Sequence, residues 1–189
     1  MRKKILLIFL TLIACVKLHA QQKKIHFRSI GSLSYFIGQS RNDWGFQIIN
    51  GIAFKNYFSG IGVGADYYYY NSYPLFFDQR VYVGKKRILF GYGDLGYNFN
   101  NGHNKPGKEA GYYTSYRFSG GLYTNVGMGI RIPLKNKRSF LTFSAGFAYK
   151  ELHNTAKIYS GCLAPLCPVD YQHYHYDNGR VDLKAGVDF

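Results

Sequence analysis

The chain has 189 residues, enough for one domain, and its 19 Tyr, 15 Phe and 22 Gly favour strands over helices. Its formal net charge is +14 and its mean hydropathy is −0.22. After the N-terminus, no apolar run approaches the roughly 20 residues that a membrane-spanning helix needs, so a membrane-embedded form must cross the bilayer with strands.

The first element in chain order is an export signal over residues 1–20. Residues 2–4 are basic, and residues 5–14 form an apolar stretch that is too short for an anchor helix. We expect cleavage after Ala20, which removes four basic residues and lowers the formal charge from +14 to +10. An alternative cut stays open, because residues 12–15 resemble a lipobox that would acylate Cys15. Export disfavours a nucleic-acid partner and favours anionic lipid head groups.

After the signal, apolar and polar residues alternate with a period of two, which is typical of strands with one apolar face. The predicted strands are 24–38, 44–56, 59–71, 75–85, 88–99, 116–133, 139–152 and 180–189. Short links follow the second, fourth and sixth strands, and longer links follow the others, as in barrels with short periplasmic turns. We therefore expect an all-β, eight-stranded antiparallel up-and-down transmembrane β-barrel over residues 21–189.

The same alternation assigns charged residues of both signs to the lumen. They are Arg28, Asp66, Asp78, Arg80, Asp94, Arg131, Lys150, Arg180, Asp182, Lys184 and Asp188. An eight-stranded barrel is just wide enough for side chains to fill it, and an unpaired buried charge is very costly. We expect these residues to form a paired polar network, with a narrow pore for small solutes as the alternative.

The terminal strand places apolar residues at every second position: Val181, Leu183, Ala185, Val187 and Phe189. It resembles the C-terminal insertion signal of the eight-stranded outer-membrane β-barrel family, also called porin-family or OmpA/OmpX-like barrels. Residues 60–68 and 74–86 are similar to the family's passage from strand three to strand four, and the resemblance covers 24–189. It implies a Gram-negative outer-membrane location with both termini in the periplasm, contact with lipid and lipopolysaccharide, and folding by the outer-membrane assembly machinery. It implies little about activity.

Two cysteines, Cys162 and Cys167, remain after signal cleavage, on either side of a Pro-containing turn. An oxidising periplasm favours a disulfide between them. A zinc site is disfavoured because the chain has no second cysteine pair.

Three histidines, His153, His173 and His175, are predicted to lie in or beside the last long loop, near Asp170 and Asp177. His173 and His175 would project the same way from an extended segment, so they could form a surface metal site. No third ligand has a fixed spacing, which favours a solvated loop. We therefore expect no metal and no cofactor.

A lipid-modifying enzyme is a further alternative. Glu151, His153 and Thr155 distantly resemble the His–Ser pair beside a carboxylate that some small outer-membrane barrels use. The Ser nucleophile two residues after the His is absent, and Ser160 has no defined place. We expect no catalytic residues, and a structural or surface-interaction role with an unknown ligand.

Overall fold

The computed structural model describes residues 25–38, 41–68, 71–100, 107–109, 112–135, 138–159 and 169–189. Within these ranges, no helix is long and apolar enough to cross a membrane. The predicted signal segment, Cys15 and the pair Cys162 and Cys167 lie outside the described residues.

Ten strands make up the regular structure of the described residues. They are β1 (His26–Ile37), β2 (Asn42–Phe54), β3 (Tyr57–Asp66), β4 (Ser72–Val83), β5 (Leu89–Asn100), β6 (Gly107–Glu109), β7 (Tyr112–Ser119), β8 (Gly121–Pro133), β9 (Phe140–Tyr159) and β10 (Val169–Asp188). β1 to β5 pair in sequence, β5 pairs with β8, β8 with β9, β9 with β10, and β10 with β1, always antiparallel. The structure is thus a closed eight-stranded up-and-down barrel, and the predicted fold is confirmed.

β7 and β8 form one wall of the barrel that is interrupted at Gly120. Both strands pair with β9, β7 along its far half and β8 along its near half. At the interruption the backbone approaches the neighbouring strand so closely that a Cβ atom on Gly120 would lie 1.5 Å from the carbonyl oxygen of Asn98. Only glycine fits there without a shift of the backbone.

The start of β1 and the end of β10 lie at the same end of the barrel as the short turns. Ser29 and Phe189 exchange backbone hydrogen bonds of 2.8 and 2.9 Å there. The turn after β2 has Lys55 at φ 52°, and the turn after β4 has Gly84 at 81° and Arg87 at 52°. These left-handed residues reverse the chain within a few positions. We call this the turn end, and the opposite end the loop end.

The two faces of the wall differ sharply in polarity. Each of the eight barrel strands exposes large apolar side chains on the outside. Examples, one from each strand, are Leu33, Ile48, Val63, Phe77, Leu95, Met128, Phe147 and Leu183. The enclosed face carries a buried cluster of Ile30, Ile49, Phe58, Phe76, Tyr82, Phe90, Tyr92 and Tyr123, together with buried charges. Soluble domains rarely expose a continuous apolar surface of this extent.

One part of the chain departs from the predicted strand bounds. Residues 153–177 were expected to be a long loop, but β9 and β10 are 20 residues each and stay paired up to Tyr159 and Val169. β7 pairs with β9 from His153 to Tyr159. These segments form a three-stranded sheet beyond the barrel, made of β7, residues 151–159 and residues 169–179, which we call the protruding sheet. The loop prediction was wrong because residues 170–179 are exposed or half-exposed on both faces, and residues 151–159 bury apolar side chains such as Leu152 and Ala156, which reverses the apolar-outward alternation of the barrel wall.

Candidate functional site

The centre of the lumen is organised around Lys184 on β10. Its Nζ atom lies 3.3 Å from Asp94 Oδ2 on β5 and 3.5 Å from Asp182 Oδ2. It also donates a hydrogen bond of 3.1 Å to Gln47 Oε1 on β2. Asn125 donates to Asp182 at 2.6 Å, so the second carboxylate has a polar partner as well. These side chains are buried, and together they join four walls of the barrel.

Nearer the loop end, Asp66 lies between two cations. Arg180 donates a hydrogen bond to its carboxylate, and Lys150 Nζ lies 3.3 Å from Oδ1. Lys150 also donates to the backbone oxygen of Tyr68 at 2.7 Å and to Ser72 Oγ at 3.1 Å. Because these five residues come from four different segments, their contacts cross the lumen and cover it at this level.

A further carboxylate, that of Asp78, pairs with Arg80 on the same strand. Arg80 Nε lies 3.0 Å from Asp78 Oδ1, and one terminal nitrogen lies 3.1 Å from Oδ2. The guanidinium also lies 5.4 Å from the ring centre of Phe90 and 5.9 Å from that of Phe58. A cation on aromatic faces keeps a favourable electrostatic environment although it is removed from water.

At the turn end, Asp188 is shared by two arginines. Arg28 donates a hydrogen bond to its Oδ2 atom, and Arg131 lies 3.8 Å from the same atom. Arg131 also stacks on Phe140, with its guanidinium carbon 3.5 Å from the ring centre. The lumen is therefore filled with paired charges and rings from one end to the other.

All eleven residues that the sequence assigned to the lumen are enclosed by the barrel, ten of them buried and Arg28 partly buried. Sequence reasoning missed several uncharged members of the network. Tyr92 donates to Asn125 at 3.2 Å, and Gln47 donates to the Tyr123 hydroxyl at 2.8 Å. The same strand parity could have identified them, since each stands at an inward position of its strand.

The predicted insertion-signal residues lie along the outer face of β10. Val181, Leu183, Ala185 and Val187 are exposed there, and Phe189 is 62% exposed beside the turn end. The strand pairs with β1, which places Leu183 opposite Tyr35. The apolar stripe is thus continuous across the seam between the two strands.

The protruding sheet carries a pair of histidines on adjacent strands. His153 on β9 and His175 on β10 stand directly opposite each other, with their Nδ1 atoms 2.9 Å apart. The other ring nitrogen of His175, Nε2, lies 3.0 Å from Asp177 Oδ1. The hydroxyl of Tyr149 donates a 2.6 Å hydrogen bond to the same carboxylate oxygen. We call His153 and His175 the histidine pair.

The carboxylate of Asp177 is held in its charged form. The pKa of Asp177 lies below its ordinary value, chiefly because the Tyr149 hydroxyl donates to it, and the neighbouring His175 imidazole acts in the same direction. Glu151 lies directly opposite Asp177 in the ladder, and it accepts from the backbone N–H of Leu122 at 3.3 Å. Ligand atoms of Glu151, His175 and Asp177 all lie within 4.8 Å of one another.

The structure does not bring Glu151, His153 and Thr155 together in the arrangement that the sequence suggested. His153 contacts His175, whereas the Thr155 hydroxyl contacts His173 Nδ1 at 3.1 Å. Ser160 lies outside the described residues. Asp170 accepts from Gln172 at 3.3 Å, at the far end of the protruding sheet from the histidine pair.

The sequence matches no protein-family model and no curated protein. The resemblance to OmpA/OmpX-like barrels therefore stays a prediction, although the barrel fold that it implied is observed.

Proposed function

We propose that this protein is an integral outer-membrane β-barrel with a structural or surface-interaction role. The observation that carries the proposal is the inverted polarity of the wall, with apolar side chains outside and paired charges inside. In water, an exposed apolar surface costs about 25 cal/mol for each Å². In a bilayer the same surface is favourable, and a closed barrel leaves no backbone group without a partner.

The strand lengths fit this proposal. β2 exposes apolar side chains from Trp44 to Phe54, a stretch of 11 positions, and β1 to β5 are 10 to 13 residues long. A tilted strand needs about 9–11 residues to cross the hydrocarbon layer. The barrel part of the wall is therefore long enough to span a membrane, and the protruding sheet would extend beyond it.

Orientation follows from the turns. In bacterial outer-membrane barrels the short turns face the periplasm, so we assign the turn end and both chain termini to that side. The predicted signal over residues 1–20 would direct export, and the apolar stripe of β10 that ends at Phe189 would be read by the outer-membrane assembly machinery. The protruding sheet and the Cys162–Cys167 segment would then face the cell exterior, next to lipopolysaccharide.

The filled lumen favours a structural role over conduction. Tyr123, Lys150 and Arg180 are fully buried, and the ion pairs cross the lumen at several levels. An eight-stranded barrel has little room left once its inward side chains are in place. Among the described residues, the protruding sheet extends beyond the barrel, and we assign it to contact with a partner.

The proposal is tested in cells and in vesicles. The tag-free protein should fractionate with outer membranes and should migrate faster on gels before boiling than after it. Vesicles that contain the refolded protein should release small solutes no faster than empty vesicles. A monodisperse folded protein in buffer without detergent would overturn membrane insertion. Rapid solute release would overturn the structural role and support the narrow pore, and acyl release from lipopolysaccharide would support the enzyme.

A further inference from the structure

The histidine pair stands on a rigid part of the protruding sheet. β9 and β10 are paired without interruption from Phe140↔Asp188 to Tyr159↔Val169, and His153 faces His175 in that ladder. The ladder therefore places the two residues directly opposite each other on adjacent strands. Their ring centres lie 4.4 Å apart.

The contacts of His175 assign its tautomer. Nε2 lies 3.0 Å from Asp177 Oδ1, which is a carboxylate oxygen and can only accept. The proton of a neutral His175 ring must then reside on Nε2. Its Nδ1 atom then carries a lone pair, and this atom lies 2.9 Å from His153 Nδ1.

The distance between the two Nδ1 atoms matches that of two neighbouring metal ligands. Metal–imidazole bonds of about 2.0–2.1 Å at a right angle separate the two nitrogens by about 2.8–3.0 Å. A tetrahedral angle would separate them by roughly 3.3–3.4 Å for the same bond lengths. The observed 2.9 Å corresponds to the right angle, which square-planar and octahedral ions adopt.

Asp177 and Tyr149 supply the outer support that such a site requires. A metal-bound imidazole usually donates its second N–H to a carboxylate, which fixes the ring and makes the ligand nitrogen more basic. Asp177 is the carboxylate that accepts from His175 Nε2, and the Tyr149 hydroxyl donates to Asp177 in turn at 2.6 Å. Glu151 stands two rungs from the histidine pair, opposite Asp177, and its carboxylate lies within 4.8 Å of ligand atoms of His175 and Asp177.

We propose that His153 and His175 bind a divalent late first-row transition-metal ion through their Nδ1 atoms, with Asp177 as a positioning residue. Imidazole ligands and right-angle geometry favour Cu(II) and Ni(II) over Mg(II) and Ca(II), which prefer oxygen. Among these ions, Cu(II) should bind most tightly. This inference needs only the barrel fold and does not depend on membrane insertion.

The test uses the chain from residue 21, refolded in detergent with any affinity tag removed. Titration with Cu(II), Ni(II) and Mg(II) is followed by calorimetry, and the Cu(II) form is examined by electron paramagnetic resonance. We expect tight binding of Cu(II), weaker binding of Ni(II), no binding of Mg(II), and hyperfine structure from two imidazole nitrogens.

Single substitutions separate the site from adventitious binding. His153→Ala and His175→Ala should each weaken Cu(II) binding at least 100-fold, while His26→Ala, at the turn end, should leave it unchanged. Asp177→Asn should weaken binding about 10–100-fold with the two-nitrogen signal retained, and Asp170→Asn should have no effect. Heat-modifiable migration verifies that each variant is folded. Equal Cu(II) affinity in the original protein and in the folded His153→Ala/His175→Ala double variant would overturn the proposal, as would no Cu(II) binding by the original protein.

Discussion

Lys184 on β10 reaches across the lumen to Asp94 on β5, with its Nζ atom 3.3 Å from Asp94 Oδ2. The two residues are 90 positions apart in sequence, and their strands are not neighbours in the barrel. The pair therefore joins two separate strands across the lumen, and both side chains are buried. A buried ion pair of this kind tends to define one arrangement of the walls more than it adds net stability.

The first prediction concerns this pair. Lys184→Met should destabilise the folded barrel by roughly 3–5 kcal/mol, because Asp94 and Asp182 would lose their shared cation while buried. Adding Asp94→Asn should recover part of that loss by removing one of the two unpaired carboxylates. The free energies of unfolding are measured by urea titration in lipid vesicles.

The control for this cycle is Lys86→Met, at an exposed position in the turn after β4. It should change the free energy of unfolding by less than about 0.5 kcal/mol. Additive effects of Lys184→Met and Asp94→Asn would show that the two side chains do not interact, contrary to the arrangement described.

Strand parity predicted which side chains enter the lumen but not which of them meet. Each strand's alternation separates its inward from its outward face, so Asp66 and Arg180 were both assigned inward. Their contact depends on the register and tilt of all the strands between them, and no local pattern encodes those. The histidine pair could not be predicted for the same reason. His153 and His175 stand opposite each other because of the register of β9 against β10, which no local pattern encodes.

The protruding sheet was missed for a different reason. Apolar and polar residues alternate along a strand only where its two faces meet different environments. Residues 169–179 are exposed or half-exposed along both faces wherever their side chains are described. Tyr and Asp occur on both faces, with His on one face and Gln on the other, and the segment has the composition of a loop. Its strand structure depends on pairing with β9.

The second prediction distinguishes a lipid-facing surface from a water-facing one. Met128 is 74% exposed on the outer face of β8, within the apolar belt. If this face contacts lipid, Met128→Arg should destabilise the barrel by about 2–4 kcal/mol in vesicles. In water the same change would be nearly neutral.

Tyr171→Arg is the matched control, because Tyr171 is 56% exposed but lies on the protruding sheet. It should leave the free energy of unfolding almost unchanged. Equal effects of the two arginine substitutions in vesicles would contradict the assignment of the belt to the bilayer.

The third prediction concerns the interruption between β7 and β8. Gly120→Ala would place a Cβ atom 1.5 Å from the carbonyl oxygen of Asn98, so the backbone must shift to admit it. We expect destabilisation of roughly 1–3 kcal/mol, the usual cost of overpacking. Gly31→Ala is the control, since a Cβ atom at Gly31 meets nothing within 4 Å. A neutral Gly120→Ala in the urea titration would mean that the two strands are not constrained at this point.

The last prediction concerns the connection between β9 and β10, which contains Cys162 and Cys167. The final rung of the hairpin pairs Tyr159 with Val169, so the segment that holds both cysteines begins and ends on adjacent strands. If the protein is exported as proposed, we expect a disulfide between them, exposed outside the cell, because the periplasm is oxidising. The loop it closes is short, and the chain-entropy model gives roughly 2–3 kcal/mol at most.

That contribution should act on the segment and hardly on the barrel, whose stability comes from its closed hydrogen-bond ladder. Cys162→Ser should therefore leave heat-modifiable migration unchanged while protease cleaves residues 154–177 faster on whole cells. A membrane-impermeant maleimide should label both cysteines only after reduction. Labelling before reduction would show free thiols and no bond, whereas no labelling after reduction would mean that the loop end does not face the exterior.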